Sequence, residues 1–178
     1  INGSRVATIT PPNSDWNGSE TITFQATDPG SLGDSDNALF KITAVNDAPV
    51  VTDIPDQTIA EGEQFDTISL DEFVSDVDNS DSEMIWSYSG NNELQVEIDQ
   101  NRIATITTPN ENWNGSETIT FAAKDPGNLG DNNSATFNVS LVNNAPVVSN
   151  IPAQTIEEGQ SFNSIPLDNY VDDSDHLD

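Results

Sequence analysis

The run Trp16-Asn17-Gly18-Ser19-Glu20-Thr21-Ile22-Thr23-Phe24 returns unchanged as Trp113-Asn114-Gly115-Ser116-Glu117-Thr118-Ile119-Thr120-Phe121, at an offset of 97 positions. The same offset carries Arg5 to Arg102, Ala48-Pro49-Val50-Val51 to Ala145-Pro146-Val147-Val148, and Asp76 and Asp78 to Asp173 and Asp175. Laid over residues 98–178, residues 1–81 are identical at 47 of 81 positions without a gap. Self-similarity at a fixed period means a tandem array, and the period sets the unit at about 100 residues. Any fold proposed for this chain must therefore be small, autonomous and joined end to end with copies of itself.

The joints are legible. Asn46-Asp47-Ala48-Pro49 and Asn143-Asn144-Ala145-Pro146 read as linkers, because proline fixes the chain and ends strand pairing. With linkers at 46–48 and 143–145, three segments are expected: 1–47 as the C-terminal half of one unit, 48–144 as a complete unit, and 145–178 as the N-terminal part of the next. Both ends of the chain then fall inside a repeat, as expected of a piece of a longer protein.

Short blocks of alternating apolar residues bounded by turn residues predict strands over 57–60, 64–70, 84–89, 94–98, 102–107, 117–124 and 135–142. Ile119, Phe121 and Ala123 share one face of their strand, and Phe137, Val139 and Leu141 are the inward set of the next. Asp125-Pro126-Gly127-Asn128-Leu129-Gly130-Asp131 between them has turn chemistry throughout. No useful helix-period stripe occurs, so the unit is expected to be all-β, with Trp86 in its core and Trp16 and Trp113 plugging the sandwich ends.

Of 178 residues, 31 are acidic and 4 basic, for a net charge of −27. Such a field repels phosphate backbones and anionic lipid, which argues against nucleic-acid or membrane-surface partners. No apolar run approaches the ~20 residues of a membrane span. Cysteine is absent, which removes disulfides and thiolate chemistry, and the one histidine, His176, leaves little for acid–base catalysis. Carboxylate pairs such as Asp76 and Asp78 recur with the repeat, which is unlike a catalytic site, so no enzyme activity is expected. The tightest acidic run, Asp76-Val77-Asp78-Asn79-Ser80-Asp81, recurs at the same offset as Asp173-Ser174-Asp175-His176-Leu177-Asp178. Oxygen donors alternating in this way suit a hard cation with six to eight oxygen ligands, Ca²⁺ before Mg²⁺. The alternative is an acidic loop held in solvent.

Several of these motifs are familiar together. Ala123-Lys124-Asp125-Pro126-Gly127, an alternating strand and then Val142-Asn143-Asn144-Ala145-Pro146 resemble the end of a cadherin domain, and Ala26-Thr27-Asp28-Pro29-Gly30 through Val45-Asn46-Asp47-Ala48-Pro49 is closer still. Ile54-Pro55-Asp56-Gln57-Thr58-Ile59 with Glu61-Gly62 is similar to the opening of a dystroglycan-type cadherin-like domain. Trp-Asn-Gly followed by Thr-Ile-Thr-Phe resembles the tandem repeats of large bacterial surface adhesins. The resemblance implies tandem Ig-like or cadherin-like, seven-stranded Greek-key β-sandwiches with Ca²⁺ at each junction. At the first junction it implies ligands from Asn46, Asp47, Asp76, Asp78 and Asp125; at the second, from Glu61, Asn143, Asn144, Asp173 and Asp175. One glutamate of the cadherin pattern is missing, with Glu111 and Glu117 as candidates to replace it, and Asn144 stands where the first linker has Asp47.

The expected function is a Ca²⁺-stiffened extracellular spacer of a cell-surface adhesin or filament, whose partners are calcium ions and neighbouring repeats of the same or an adjacent chain. The rival reading is a polysaccharide-binding module of a secreted carbohydrate-active protein, for which Trp16 and Trp113 would be the sugar platforms.

Overall fold

The computed structural model describes residues 1–173 and 175. Asp178, the last carboxylate of the second acidic run, and His176 lie outside the described residues. Among the described residues there are thirteen strands: β1 (Gly18–Thr27), β2 (Gly33–Ile42), β3 (Val50–Val51), β4 (Gln57–Ala60), β5 (Ile68–Ser69), β6 (Val74–Ser75), β7 (Ile85–Ser89), β8 (Gln95–Ile98), β9 (Ile103–Thr107), β10 (Gly115–Lys124), β11 (Gly130–Ser140), β12 (Val147–Val148) and β13 (Val171–Asp172). Three short 3-10 turns interrupt them, at Leu70–Phe73, Asp81–Glu83 and Leu167–Tyr170.

Seven strands build one sandwich. One sheet runs β4-β11-β10-β7 and the other β5-β9-β8, with a β3–β6 ribbon closing one end. Its centre is the long antiparallel hairpin β10–β11, registered Gly115↔Val139 through Lys124↔Gly130. β4 runs parallel to β11, registered Phe137↔Gln57 to Ser140↔Ala60. The alternation of these strands is resolved by burial: Ile119, Phe121, Ala123, Ala135, Phe137 and Val139 point inward and are buried. They meet Ile68, Ala104 and Ile106 from the opposing sheet, with Phe65 from the loop before β5 and Leu70 from the turn after it, in one core. Phe65 and Phe137 pack edge to face at 5.2 Å between centroids, a preferred aromatic geometry.

Leu141 departs from the expected inward set. It is exposed because β11 ends at Ser140, after which the backbone leaves the sheet for the linker. The strand expected over 64–70 contracts to Ile68–Ser69, followed directly by the 3-10 turn. Trp86 is half-buried against the core, and so is Trp113, whose indole N–H donates to Glu93. The Trp113 ring also explains the glycine of Trp-Asn-Gly. A Cβ on Gly115 would lie 2.9 Å from that ring, and its φ of +153° is a conformation side chains rarely adopt.

The remaining strands repeat pieces of this sandwich. β1–β2 has the register of β10–β11, Gly18↔Ile42 through Thr27↔Gly33. β12–β13 has that of β3–β6, with Val147↔Asp172 answering Val50↔Ser75.

Candidate metal centre

The turn between β10 and β11 is closed by its own aspartate. Asp125 is buried, and its Oδ1 accepts the Leu129 backbone N–H at 2.9 Å, an Asx-type closure that proline and glycine at 126 and 127 favour. Its Oδ2 accepts the Asn46 side-chain amide at 2.6 Å. A Cβ on Gly127 would sit 2.7 Å from that amide nitrogen, so glycine is what lets the linker approach the turn. One residue on, the Asp47 backbone N–H donates to Asp78 Oδ2 at 2.8 Å. The first linker is thus held by two carboxylates from different loops of the sandwich.

The acidic loop 76–79 folds around its first residue. Asp76 Oδ1 accepts the backbone N–H groups of Asp78 and Asn79 at 2.8 and 2.9 Å. Asp76 Oδ2 and Asn79 Oδ1 are both out of solvent with no hydrogen-bond partner. Buried acceptors are nearly always satisfied, so two orphans in one loop require an explanation. Just downstream, Ser80 donates its backbone N–H and its hydroxyl to Glu83 Oε2 at 3.0 and 2.9 Å. The Ser80 backbone bond, reinforced by the hydroxyl, holds the Glu83 carboxyl below its usual range. The sole ion pair among the described residues is Arg102 with Asp71, a two-pronged contact at 2.6 and 2.7 Å, so no basic side chain neutralises Asp76, Asp78 or Asp125.

The second junction repeats the first. The Asn144 backbone N–H donates to Asp175 Oδ2, and the Asp175 N–H to Asp173 Oδ1 at 3.0 Å. Where the first linker has Asp47, Asn144 turns its amide to Asp175 Oδ1 at 3.1 Å. Asn143 Nδ2 bonds the Asn144 carbonyl at 3.0 Å, as Asn46 Nδ2 bonds that of Asp47 at 3.1 Å. Glu61 is brought to the start of this linker, its Oε2 accepting the Val142 N–H at 3.0 Å and its Oε1 the Asn114 amide at 2.7 Å.

These oxygens fit a hard cation by chemistry: carboxylates, an amide oxygen, two unsatisfied acceptors and no competing base. Among the described residues no three carboxylates or imidazoles converge closely enough to form a site by themselves, so neutral oxygens such as Asn79 Oδ1 would have to complete the shell. Asn79 was not singled out by the sequence; the signal is a neutral oxygen donor directly after Asp-x-Asp. Of the two replacements for the missing glutamate, Glu117 is engaged elsewhere. Its carboxylate accepts the N–H groups of Asn92, Glu93 and Leu94 at 2.8, 2.7 and 3.3 Å, fixing the loop between β7 and β8.

A family model described as "Bacterial Ig domain" matches residues 46–140, more than half of the chain. The chain belongs to this bacterial Ig domain family. No curated protein matches it. Among solved structures, the extracellular cadherin domains 1-5 of protocadherin Gamma B2 align over 75% of this chain and 28% of theirs, at 18% identity and a TM-score of 0.50. The EC3-6 cis-dimer structure of protocadherin gammaB7 aligns over 74% and 33% at 27% identity and a TM-score of 0.48. An endo-fucoidan hydrolase of glycoside hydrolase family 107 aligns over 73% and 23% at 16% identity and 0.41. The cadherin-domain match thus shares the sandwich fold of this chain, and the chain spans a third or less of the length of these structures. Domains of this kind are typically extracellular and non-enzymatic.

Proposed function

We propose that this bacterial Ig domain chain is a run of extracellular spacer repeats, in residues 1–47, 48–144 and 145–178, whose junctions are stiffened by Ca²⁺. The spacer would belong to a cell-surface adhesin or filament, with neighbouring repeats as its structural partners. The observation that carries the reading is the first linker, tied at Asn46 to Asp125 and at Asp47 to Asp78, beside the unpartnered Asp76 Oδ2. Asn46, Asp47, Asp76, Asp78 and Asp125 would hold the ion there, and Glu61, Asn143, Asn144, Asp173 and Asp175 at the second junction. Bound Ca²⁺ supplies positive charge to carboxylates that otherwise repel across the joint. The chain's own contribution is geometric. Gly127 admits Asn46, Asp125 fixes the turn, and Asp76 curls its loop so that Asp78 faces the linker.

Unfolding in chelator and in millimolar Ca²⁺, at matched ionic strength, tests this. At a hundredfold excess over the dissociation constant the stabilisation expected is about 2.7 kcal/mol, and in chelator the first proteolytic cuts should fall in 43–49 and 141–146. Superimposed melting curves would leave the acidic loops as solvated surface and overturn the calcium reading.

A further inference from the structure

Of the four sheet edges in the seven-strand sandwich, three are blunted. β5 is two residues long, β8 carries the exposed Glu97, and in β4 the Ala60 N–H is taken by Glu63 Oε2 at 3.0 Å. Short length, charge and a covering side chain are common devices against edge-to-edge pairing. β7 has none of them. Its sequence, Ile85-Trp86-Ser87-Tyr88-Ser89, is uncharged, and among the described residues its backbone bonds only to β10. Two large apolar side chains stand open on it, Ile85 at 69% and Tyr88 at 41% exposure.

The sheet that β7 borders is also free of acid on its outer face. Its four strands hold two carboxylates, Glu117 and Asp131, and both belong to the alternate set on the core side. There Glu117 accepts the N–H groups of residues 92–94, and Asp131 accepts that of Val51 at 2.9 Å. The middle of the outward set is a ladder of hydroxyls, Thr118 with Thr136 at 3.2 Å and Thr120 with Ser134 at 2.8 Å. In a chain of 31 acidic residues and net charge −27, this is a side on which two copies meet without opposing carboxylates.

β7 is complementary to itself. Antiparallel pairing about a two-fold axis at Ser87 sets Trp86 opposite the partner's Tyr88 and Ile85 opposite the partner's Ser89, each twice over. Trp86 and Tyr88 stand beside Ala123 and Phe121 of β10, so both aromatic pairs fall on the core side of the sheet. Cross-strand aromatic pairs stabilise a ladder. The Trp86 indole N–H is out of solvent with no acceptor, and the partner's Tyr88 phenol oxygen is a group that can accept it.

We infer that the β7 edge pairs antiparallel with β7 of a second copy of this chain, joining two copies side by side through one continuous eight-stranded sheet. The contact is isologous and closes at two. It uses no residue of the proposed calcium site, and it is tested in chelator. Sedimentation velocity on the parent chain should show dimer rising with concentration and with salt. Raising NaCl from about 0.05 to about 0.5 M shortens the repulsion between two acidic copies to a few ångströms. Ser87→Lys and Ser87→Asp each place like charges on the two-fold axis and should each weaken dimerisation about tenfold. Melting should not change, because the Ser87 side chain is exposed. An equimolar mixture of the two variants sets lysine opposite aspartate and should restore the dimer. A parent chain that stays monomeric in high salt, dimers that ignore both substitutions, or a mixture no better than either variant would overturn the inference.

Discussion

Phe137→Ala is expected to remove about 3–5 kcal/mol of stability, enough to unfold the sandwich or nearly so. Phe137 is fully buried at the centre of β11, in edge-to-face contact with Phe65 across the sandwich and with Phe121 on β10. Truncation leaves a cavity bounded by both sheets, which the paired strands cannot collapse to fill. The same substitution at Phe40 is the internal control. Phe40 has the same neighbours in its own hairpin, including Phe24 at 6.3 Å, but it is only half-buried. Its loss should cost less than half as much. Urea unfolding followed by tryptophan fluorescence reads both variants. Equal costs at the two positions would mean that the opposing sheet contributes little to the core.

The fold is legible in the repeat, because strands of period two show their inward residues and the offset shows them twice. Ile119, Phe121 and Ala123 could be read from alternation alone, and they are buried. What alternation could not show was where pairing stops. Leu141 continues the pattern of Phe137 and Val139, but β4 pairs with β11 only as far as Ser140, and beyond that point no neighbour remains to bury a side chain. Two-residue ribbons such as β3–β6 carry no period at all and are invisible in sequence.

The junction was legible by chemistry and not by partnership. An acidic run beside each linker marked Asp76 and Asp78, but nothing in the spacing says that Asp47 would present its backbone to Asp78, or that Asn46 would reach Asp125 across 79 positions. Glu117 illustrates the converse. As a carboxylate in a repeated motif it looked available, and the structure engages it with three backbone N–H groups of a loop about 24 residues away. A carboxylate's role is set by which donors the fold leaves unsatisfied nearby, and that is a property of tertiary structure.

Asp125 is where this distinction can be measured. In chelator, Asp125→Ala should cost about 1–3 kcal/mol, because the Leu129 N–H and the Asn46 amide both lose their acceptor in a buried turn. In saturating Ca²⁺ the gap between variant and parent should widen by whatever the ion contributes to the parent, about 2.7 kcal/mol at a hundredfold excess. Asp28 separates the two effects. It closes the equivalent turn by accepting the Leu32 N–H at 2.9 Å, but it is exposed and makes no linker contact in the structure. Asp28→Ala should therefore cost less in chelator and leave the calcium response intact. Should the Asp125→Ala gap be the same with and without Ca²⁺, the carboxylate is a turn-closing group alone. Should Asp28→Ala abolish the calcium response, the ion binds at the β1–β2 turn and the junction assignment fails.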